Sequence, residues 1–102
     1  MADLYTVNKS PFEKNSLEQV IRVSLPGSSI LLIEDGVYGA MKGTAAEAMV
    51  KGAMGDKKVY ALESDLMARA IKSDRVIDGV ELVDYAGFVD LVEANDKVQA
   101  WL

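Results

Sequence analysis

A continuous apolar run, Ser29-Ile30-Leu31-Leu32-Ile33, constrains the fold of this chain more than any other feature. A strand with one face in water alternates apolar and polar residues, whereas this run places apolar side chains on both sides of the chain. That pattern is typical of a strand in a parallel sheet whose two faces are covered by helices. The run therefore predicts an α/β fold.

Four further segments have the β-prone or apolar composition of strands, and segments with helical features separate them. Strands that alternate with helices predict a three-layer α/β domain with a mainly parallel sheet of about four to five strands flanked by helices. A length of 102 residues fits one domain, 1–102. The expected strands are 4–7, 29–33, 58–62, 80–83 and 97–102, the last of which is either a strand or a docked tail.

Helix boundaries follow from capping residues. Ser16 and Gln19 form a capping-box pattern, in which Ser16 is the N-cap residue and each side chain bonds the other's amide. Ser64-Asp65 is expected to cap a short helix, and Asp84 a final one. The glycine-rich stretch 37–54 is expected to be helical in pieces. The residues expected to share one face of the final helix are Tyr85, Phe88, Val89 and Val92.

The chain has no cysteine and no histidine. These residues supply most nucleophiles, general bases near neutral pH and transition-metal ligands, so thiolate, imidazole and most zinc chemistry are excluded. A disulfide framework is excluded too. We therefore expect no catalytic residue, no metal and no cofactor in this chain, and a partner that carries the reactive group.

Charge and hydropathy exclude two further classes of partner. The net charge is −5 and the basic residues are scattered, so we expect no direct nucleic-acid binding. No apolar run approaches the roughly 20 residues that span a bilayer. The first residues also lack the pattern of a signal peptide, and cytoplasmic residence is the expectation. The hydrophobic fraction of 50% predicts apolar surface left over for a partner protein.

Three segments follow strands, at 8–12, 34–38 and 63–65. Ligands of open parallel sheets bind beyond the carboxyl ends of the strands, so these segments are where a site is expected. Glu34 and Asp35 are adjacent, and helix capping by Asp35 explains the pair better than an acid/base dyad or a metal site.

Two further groups of residues each have two interpretations. Lys9 and Ser10 could form a nucleophilic pair, but a Ser-Pro turn accounts better for Ser10. The aromatic residues Tyr85, Phe88 and Trp101 lie near the carboxyl terminus and are either core residues or anchors for another subunit.

Four blocks of sequence resemble the DsrH/TusB family. They are LYTVNKSPF (4–12), LLIEDGVY (31–38), DYAGFVDL (84–91) and QAWL (99–102), which together extend over nearly the whole chain. Their form is closer to DsrH than to TusB.

The resemblance implies a non-catalytic subunit of a cytoplasmic persulfide relay. It implies a DsrEFH-type heterohexamer of sulfur oxidation, with a TusBCD-type complex for 2-thiolation of the tRNA wobble uridine as the alternative. The implied partners are DsrE/TusD-like and DsrF/TusC-like sister subunits and a sulfur donor or acceptor protein. The implied interface comprises Asn8, Lys9, Ser10, Pro11, Phe12, Glu34, Asp35, Tyr85, Phe88 and Trp101.

The resemblance also implies which position of this chain corresponds to the sulfur-carrying cysteine of the sister subunit. The sister subunit that carries the sulfur has its cysteine just after a strand, and Asp65 matches that place. An aspartate there cannot hold a persulfide. Tyr5 stands where a histidine is common in the family, and Val20 where some DsrH-type members have a cysteine.

Two other function classes stay open at this point. One is a self-sufficient sulfurtransferase or hydrolase that uses Ser10 or Asp65, although persulfide transfer by this chain alone is excluded without cysteine. The other is a homo-oligomeric module that binds a small anion at the strand ends.

Overall fold

The computed structural model describes residues 3–101, so Met1, Ala2 and Leu102 lie outside it, and with them the ends of the expected last strand and of the QAWL block. Its strands are β1 (Asp3–Val7), β2 (Ser29–Leu32), β3 (Lys58–Leu62), β4 (Glu81–Val83) and β5 (Lys97–Trp101). Its α-helices are α1 (Ser16–Val23), α2 (Glu47–Ala53), α3 (Glu63–Ala68) and α4 (Tyr85–Ala94), and 3-10 helices cover Glu34–Ala40 and Ser73–Arg75.

The strands form one sheet in the order β4-β3-β2-β1-β5. Every neighbouring pair is parallel, including β1 with β5 at the edge. The predicted α/β fold with a mainly parallel sheet is therefore confirmed, and the tail is a strand.

Both faces of the sheet are apolar, as the uninterrupted run predicts. All four residues of β2 are buried. Ile30 and Leu32 face the larger apolar cluster, which receives side chains from α1, α2, α3 and the 3-10 helix Glu34–Ala40. Leu31 faces a smaller cluster with Leu4 and Tyr60, which α4 covers. The core thus lies on two sides of β2, and α4 is alone on one of them among the described helices.

Local capping is confirmed at one helix and wrong at two. The Asp84 carboxylate accepts a hydrogen bond from the Gly87 amide at 2.8 Å and caps α4, as predicted. The N-cap residue of α1 is Asn15, not Ser16, because the Asn15 carbonyl already accepts the Gln19 amide at 3.0 Å. At α3 the N-cap residue is Leu62, without a side-chain cap, since the helix starts directly at the end of β3.

The glycine-rich stretch 37–54 is helical in pieces, as expected. The 3-10 helix ends at Ala40, and a non-helical connection leads from there to the start of α2 at Glu47. Met41 forms an antiparallel bridge with Val76, and the Gly43 amide donates to the Glu47 carboxylate at 2.7 Å. That hydrogen bond, with Lys51 as a further partner, lowers the pKa of the Glu47 carboxyl below its ordinary value. The first turn of α2 is therefore held by a charged side chain rather than by a cap.

The 3-10 helix Glu34–Ala40 approaches the end of β1 so closely that only glycine fits at position 36. A Cβ atom on Gly36 would overlap the Val7 carbonyl oxygen, which belongs to the backbone and cannot move aside. We expect Gly36→Ala to lower the free energy of unfolding by about 2–3 kcal/mol, as overpacking does.

Gly52→Ala is the matched control, because nothing lies within 4 Å of its added Cβ and the residue is in a helix. This change should raise the free energy of unfolding by about 0.5–1 kcal/mol. Urea denaturation followed by circular dichroism measures both. Equal effects of the two substitutions would contradict the close approach at Gly36.

Candidate functional site

The carboxyl ends of β1, β2 and β3 lie at the same edge of the sheet, as the parallel topology requires. The end of β2 is tied to β1, because the Ile33 amide donates to the Val7 carbonyl at 3.0 Å. The chain then turns at once into the 3-10 helix Glu34–Ala40, and after β3 it turns at once into α3. Two of the expected segments, 34–38 and 63–65, are brought into contact this way.

The central contact of this edge joins Glu34 to Asp65. The Glu34 amide donates to the Asp65 carboxylate at 2.7 Å, across 31 positions of sequence. Glu34 has a φ of +48°, in the left-handed region that non-glycine residues rarely adopt. A hydrogen bond to a charged acceptor is stronger than a neutral one, so the Asp65 carboxylate stabilises this strained backbone.

Arg69, the C-cap residue of α3, completes the contact. Its guanidinium lies 2.9 and 3.0 Å from the Asp35 carboxylate, through Nη2 and Nε. Its Nη1 donates to the Asp65 carbonyl at 3.1 Å and lies 3.8 Å from the Asp65 carboxylate. We call Glu34, Asp35, Asp65 and Arg69 the edge clamp. It joins the loop after β2 to the helix after β3.

The predicted capping roles of Asp35 and Asp65 are wrong. Both residues lie inside the first turn of their helices, whose N-cap residues are Ile33 and Leu62. Their carboxylates turn instead toward the neighbouring segment. Arg69 was not singled out from the sequence, although its i, i+4 spacing from Asp65 is the signal that could have found it.

The segment after β1 is a turn, and the interpretation of Ser10 as a turn residue is confirmed. The buried Ser10 hydroxyl accepts the Phe12 amide at 3.2 Å, and the Ser10 carbonyl accepts two further amides. Lys9 and Phe12 are exposed. Asn8 is half-buried, and its Oδ1 accepts no hydrogen bond from the described residues. Pro11 lies beside Gly39 of the neighbouring 3-10 helix.

The three aromatic residues near the carboxyl terminus do not form one cluster. Phe88 packs inward on the smaller apolar cluster, so the expected shared face of α4 is wrong at this residue. Tyr85 is 65% exposed on the same helix. Trp101 packs against the larger cluster on the opposite face of the sheet. Of the three, Tyr85 is the most exposed side chain.

The edge clamp has the chemistry of a structural contact. Its carboxylates accept hydrogen bonds from a backbone amide and from Arg69. Among residues 3–101 no group of three or more acidic, histidine or cysteine side chains could hold a metal ion. Within the same range no helix has the length and apolar character to cross a membrane.

The model of the family described as DsrH like protein matches residues 9–98 of this chain. The chain belongs to the DsrH family. Relatives named Protein TusB extend the likeness over the full length. Those of Sodalis glossinidius and Photorhabdus laumondii are 33% and 34% identical over 96% of this chain and 99% of theirs. Protein TusB of Escherichia coli is 32% identical with the same coverage.

Solved structures share the fold. The ychN protein of E. coli superimposes with a TM-score of 0.81 and 19% identity, over 99% of this chain and 100% of that one. The Tm0979 protein of Thermotoga maritima has a TM-score of 0.64 and 28% identity, over 92% and 93% of the two chains. The five-stranded α/β architecture is thus that of known proteins.

Tyr5 and Val20, the two positions at which the resemblance predicts a departure from the family pattern, lie in the core. Val20 on α1 is fully buried, and Tyr5 on β1 is 7% exposed. Both contribute to the larger apolar cluster. In this chain the two positions stabilise the fold.

The edge clamp predicts a graded response to substitution of Asp65. Asp65→Ala should lower the free energy of unfolding by about 1–2 kcal/mol, because the Glu34 amide loses its charged acceptor. Asp65→Asn should cost less, about 1 kcal/mol or below, because an amide oxygen still accepts while the weak ion pair with Arg69 is lost.

The control is Asp74→Ala, at an exposed position of the 3-10 helix Ser73–Arg75, with an expected change within about 0.5 kcal/mol. Urea denaturation of the three variants checks the series. If Asp65→Ala were as neutral as Asp74→Ala, the clamp would have no role in stability.

Proposed function

We propose that this chain is a non-catalytic subunit of a persulfide sulfur relay, of the TusB type that serves 2-thiolation of the tRNA wobble uridine. The observation that carries the proposal is the edge clamp at Asp65. In the family's sulfur-carrying sister subunit, a cysteine follows the corresponding strand. In this chain the position holds a carboxylate that accepts the Glu34 amide at 2.7 Å.

A relay subunit at this position needs a thiolate, since persulfide transfer proceeds by attack of a thiolate on a sulfane sulfur. The sequence has no cysteine anywhere. The role that remains is assembly, in which the chain completes the complex and shapes the surface on which a sulfur donor or acceptor protein docks.

The names of the relatives bear on the pathway. The curated relatives quoted above are named Protein TusB, which supports the tRNA-thiolation alternative better than the DsrEFH interpretation of the sequence. The match to the DsrH family model fits either branch. TusB-type function is therefore the one we propose, with sulfur oxidation as the alternative.

The proposed partners are TusD-like and TusC-like sister subunits in a cytoplasmic heterohexamer, in which this chain acts as one domain, 1–102. The proposed contact region combines the 8–12 turn with exposed residues of the clamp and of α4. Phe12 and Tyr85 are 55% and 65% exposed to solvent, and exposed aromatic side chains are typical anchors of a protein–protein interface. Glu34 and Asp35, which follow β2, are also exposed.

Co-expression with the two sister chains of its own genome tests the assembly. We expect the three chains to elute together in size-exclusion chromatography, at a mass that light scattering assigns to a hexamer. Expression of this chain alone is the control for self-association. A chain that stays monomeric beside its folded sisters would contradict the proposal.

A second experiment tests the non-catalytic role and the pathway. The assembled complex is incubated with a sulfane-sulfur donor, and intact-protein mass spectrometry measures each chain. We expect the mass of one sulfur atom to be added to the cysteine-bearing sister and not to this chain. Deletion of the gene should lower 2-thiouridine in tRNA, whereas loss of sulfur oxidation with normal tRNA would favour the alternative.

A further inference from the structure

The two faces of the sheet are covered unequally. Helices α1, α2, α3 and the 3-10 helix Glu34–Ala40 contribute to the apolar cluster on one face, whereas α4 alone packs on the other among the described helices. Five strands spaced about 4.8 Å apart make a sheet roughly 19 Å wide, and a helix covers about 10 Å. One side of the α4 face is therefore left without a covering helix.

The packing of α4 tells which side is uncovered. Phe88 and Leu91 point into the smaller apolar cluster. Gly87, on one flank of α4, lies against Val83, the residue before the N-cap. With 100° between successive helical residues, Tyr85, Val89 and Val92 lie on the opposite flank of the helix. On this face of the sheet Leu4 of β1 is fully buried whereas its register partner Val98 of β5 is 45% exposed, so the uncovered side is the one at β5.

The side of the α4 face toward β5 is apolar and exposed. Val98 is the register partner of Leu4, and Ala100 of Thr6, so both lie on the same face of the sheet as α4. We call the exposed side chains of this region the α4–β5 surface. Its members are Tyr85 (65% exposed), Val89 (53%), Val92 (38%), Val98 (45%) and Ala100.

The charged residues of α4 and of the turn that joins it to β5 are all acidic, and they are exposed. Between Arg75 and Lys97 there is no basic residue, and the six charged residues in between are all acidic. Lys97 is the register partner of Asp3, which places it with Tyr5 on the other face of the sheet. Of the six acidic residues, Asp78 pairs with Lys42 at 3.4 Å and Glu81 lies on β4, at the edge of the sheet opposite β5. The acidic rim consists of Asp90 and Glu93 on α4 and Asp96 between α4 and β5.

We propose that the α4–β5 surface docks an apolar surface bordered by lysine and arginine residues on a sister subunit of the complex. Charge complementarity selects this occupant, because apolar side chains supply the buried centre of an interface and opposite charges at its rim select the partner. A second copy of this chain has the same net charge of −5 and would bring two acidic rims together. The inference rests on the relay-subunit function proposed above.

Charged substitutions at the apolar centre test the surface. Val89→Asp and Val98→Asp should each weaken association with the co-expressed sister chains about tenfold or more, because a buried unpaired charge costs the interface at least that much. Titration by biolayer interferometry measures the affinity. Circular dichroism and thermal unfolding should match the wild type, since both valines are about half exposed.

The matched control is Leu25→Asp, at a 71% exposed position in the loop after α1, a helix that packs on the opposite face of the sheet. It should leave the affinity unchanged. Wild-type chains that fail to associate would contradict the proposed function itself. If the wild-type chain associates with its sisters and both valine variants bind equally well, this inference is wrong and the proposed function stands.

Reversal of the rim charge tests the partner's chemistry. Glu93→Lys with Asp96→Lys should weaken association several-fold at low salt and flatten its dependence on ionic strength. Both positions are exposed, so the fold should not change. An unchanged affinity and an unchanged salt dependence would contradict the proposal that lysine and arginine residues border the partner's apolar surface.

A photo-crosslinking residue in place of Tyr85 identifies the occupant directly. We expect crosslinks to a sister chain, at peptides that contain lysine or arginine. Crosslinks to a second copy of this chain, or to neither sister in the assembled complex, would overturn the proposal.

Discussion

Burial of β2 on both of its faces is the constraint on which the rest of the structure depends. Ser29–Leu32 is entirely buried, with β3 on one side and β1 on the other. Parallel strands need crossover connections, and the crossovers bring helices onto the sheet. Ile30 and Leu32 meet the larger cluster, and Leu31 the smaller one. The layers, the strand order and the edge where the strands end all follow from this arrangement.

The edge clamp is a consequence of the same topology. Parallel strands bring the residues after β2 and β3 to one edge, and there Asp65 and Arg69 hold Glu34 and Asp35. Under the proposed function, position 65 corresponds to the reactive cysteine of the sulfur-carrying sister subunit. Here a carboxylate at the same position stabilises a left-handed backbone residue. In this chain position 65 therefore serves the fold.

Unequal cover of the sheet connects the fold to assembly. One face is packed by several helices, whereas the other has α4 and an apolar strip that continues onto β5. A hydrophobic fraction of 50% in 102 residues already indicated surplus apolar surface. We propose that this exposed apolar surface, between the outer flank of α4 and Val98, binds an apolar surface bordered by basic residues on a sister subunit.

The sequence by itself determined some of the features that depend on neighbouring residues. The apolar run 29–33 fixes a parallel sheet, Asp84 caps its own helix three residues on, and the absence of cysteine excludes persulfide chemistry. Only the tertiary structure decided where Asp65 directs its carboxylate, because its partner Glu34 is 31 residues away. It also decided which flank of α4 is exposed. Capping depends on local dihedral angles and adjacent amides, whereas a contact across the sheet edge depends on the register of strands that are distant in sequence.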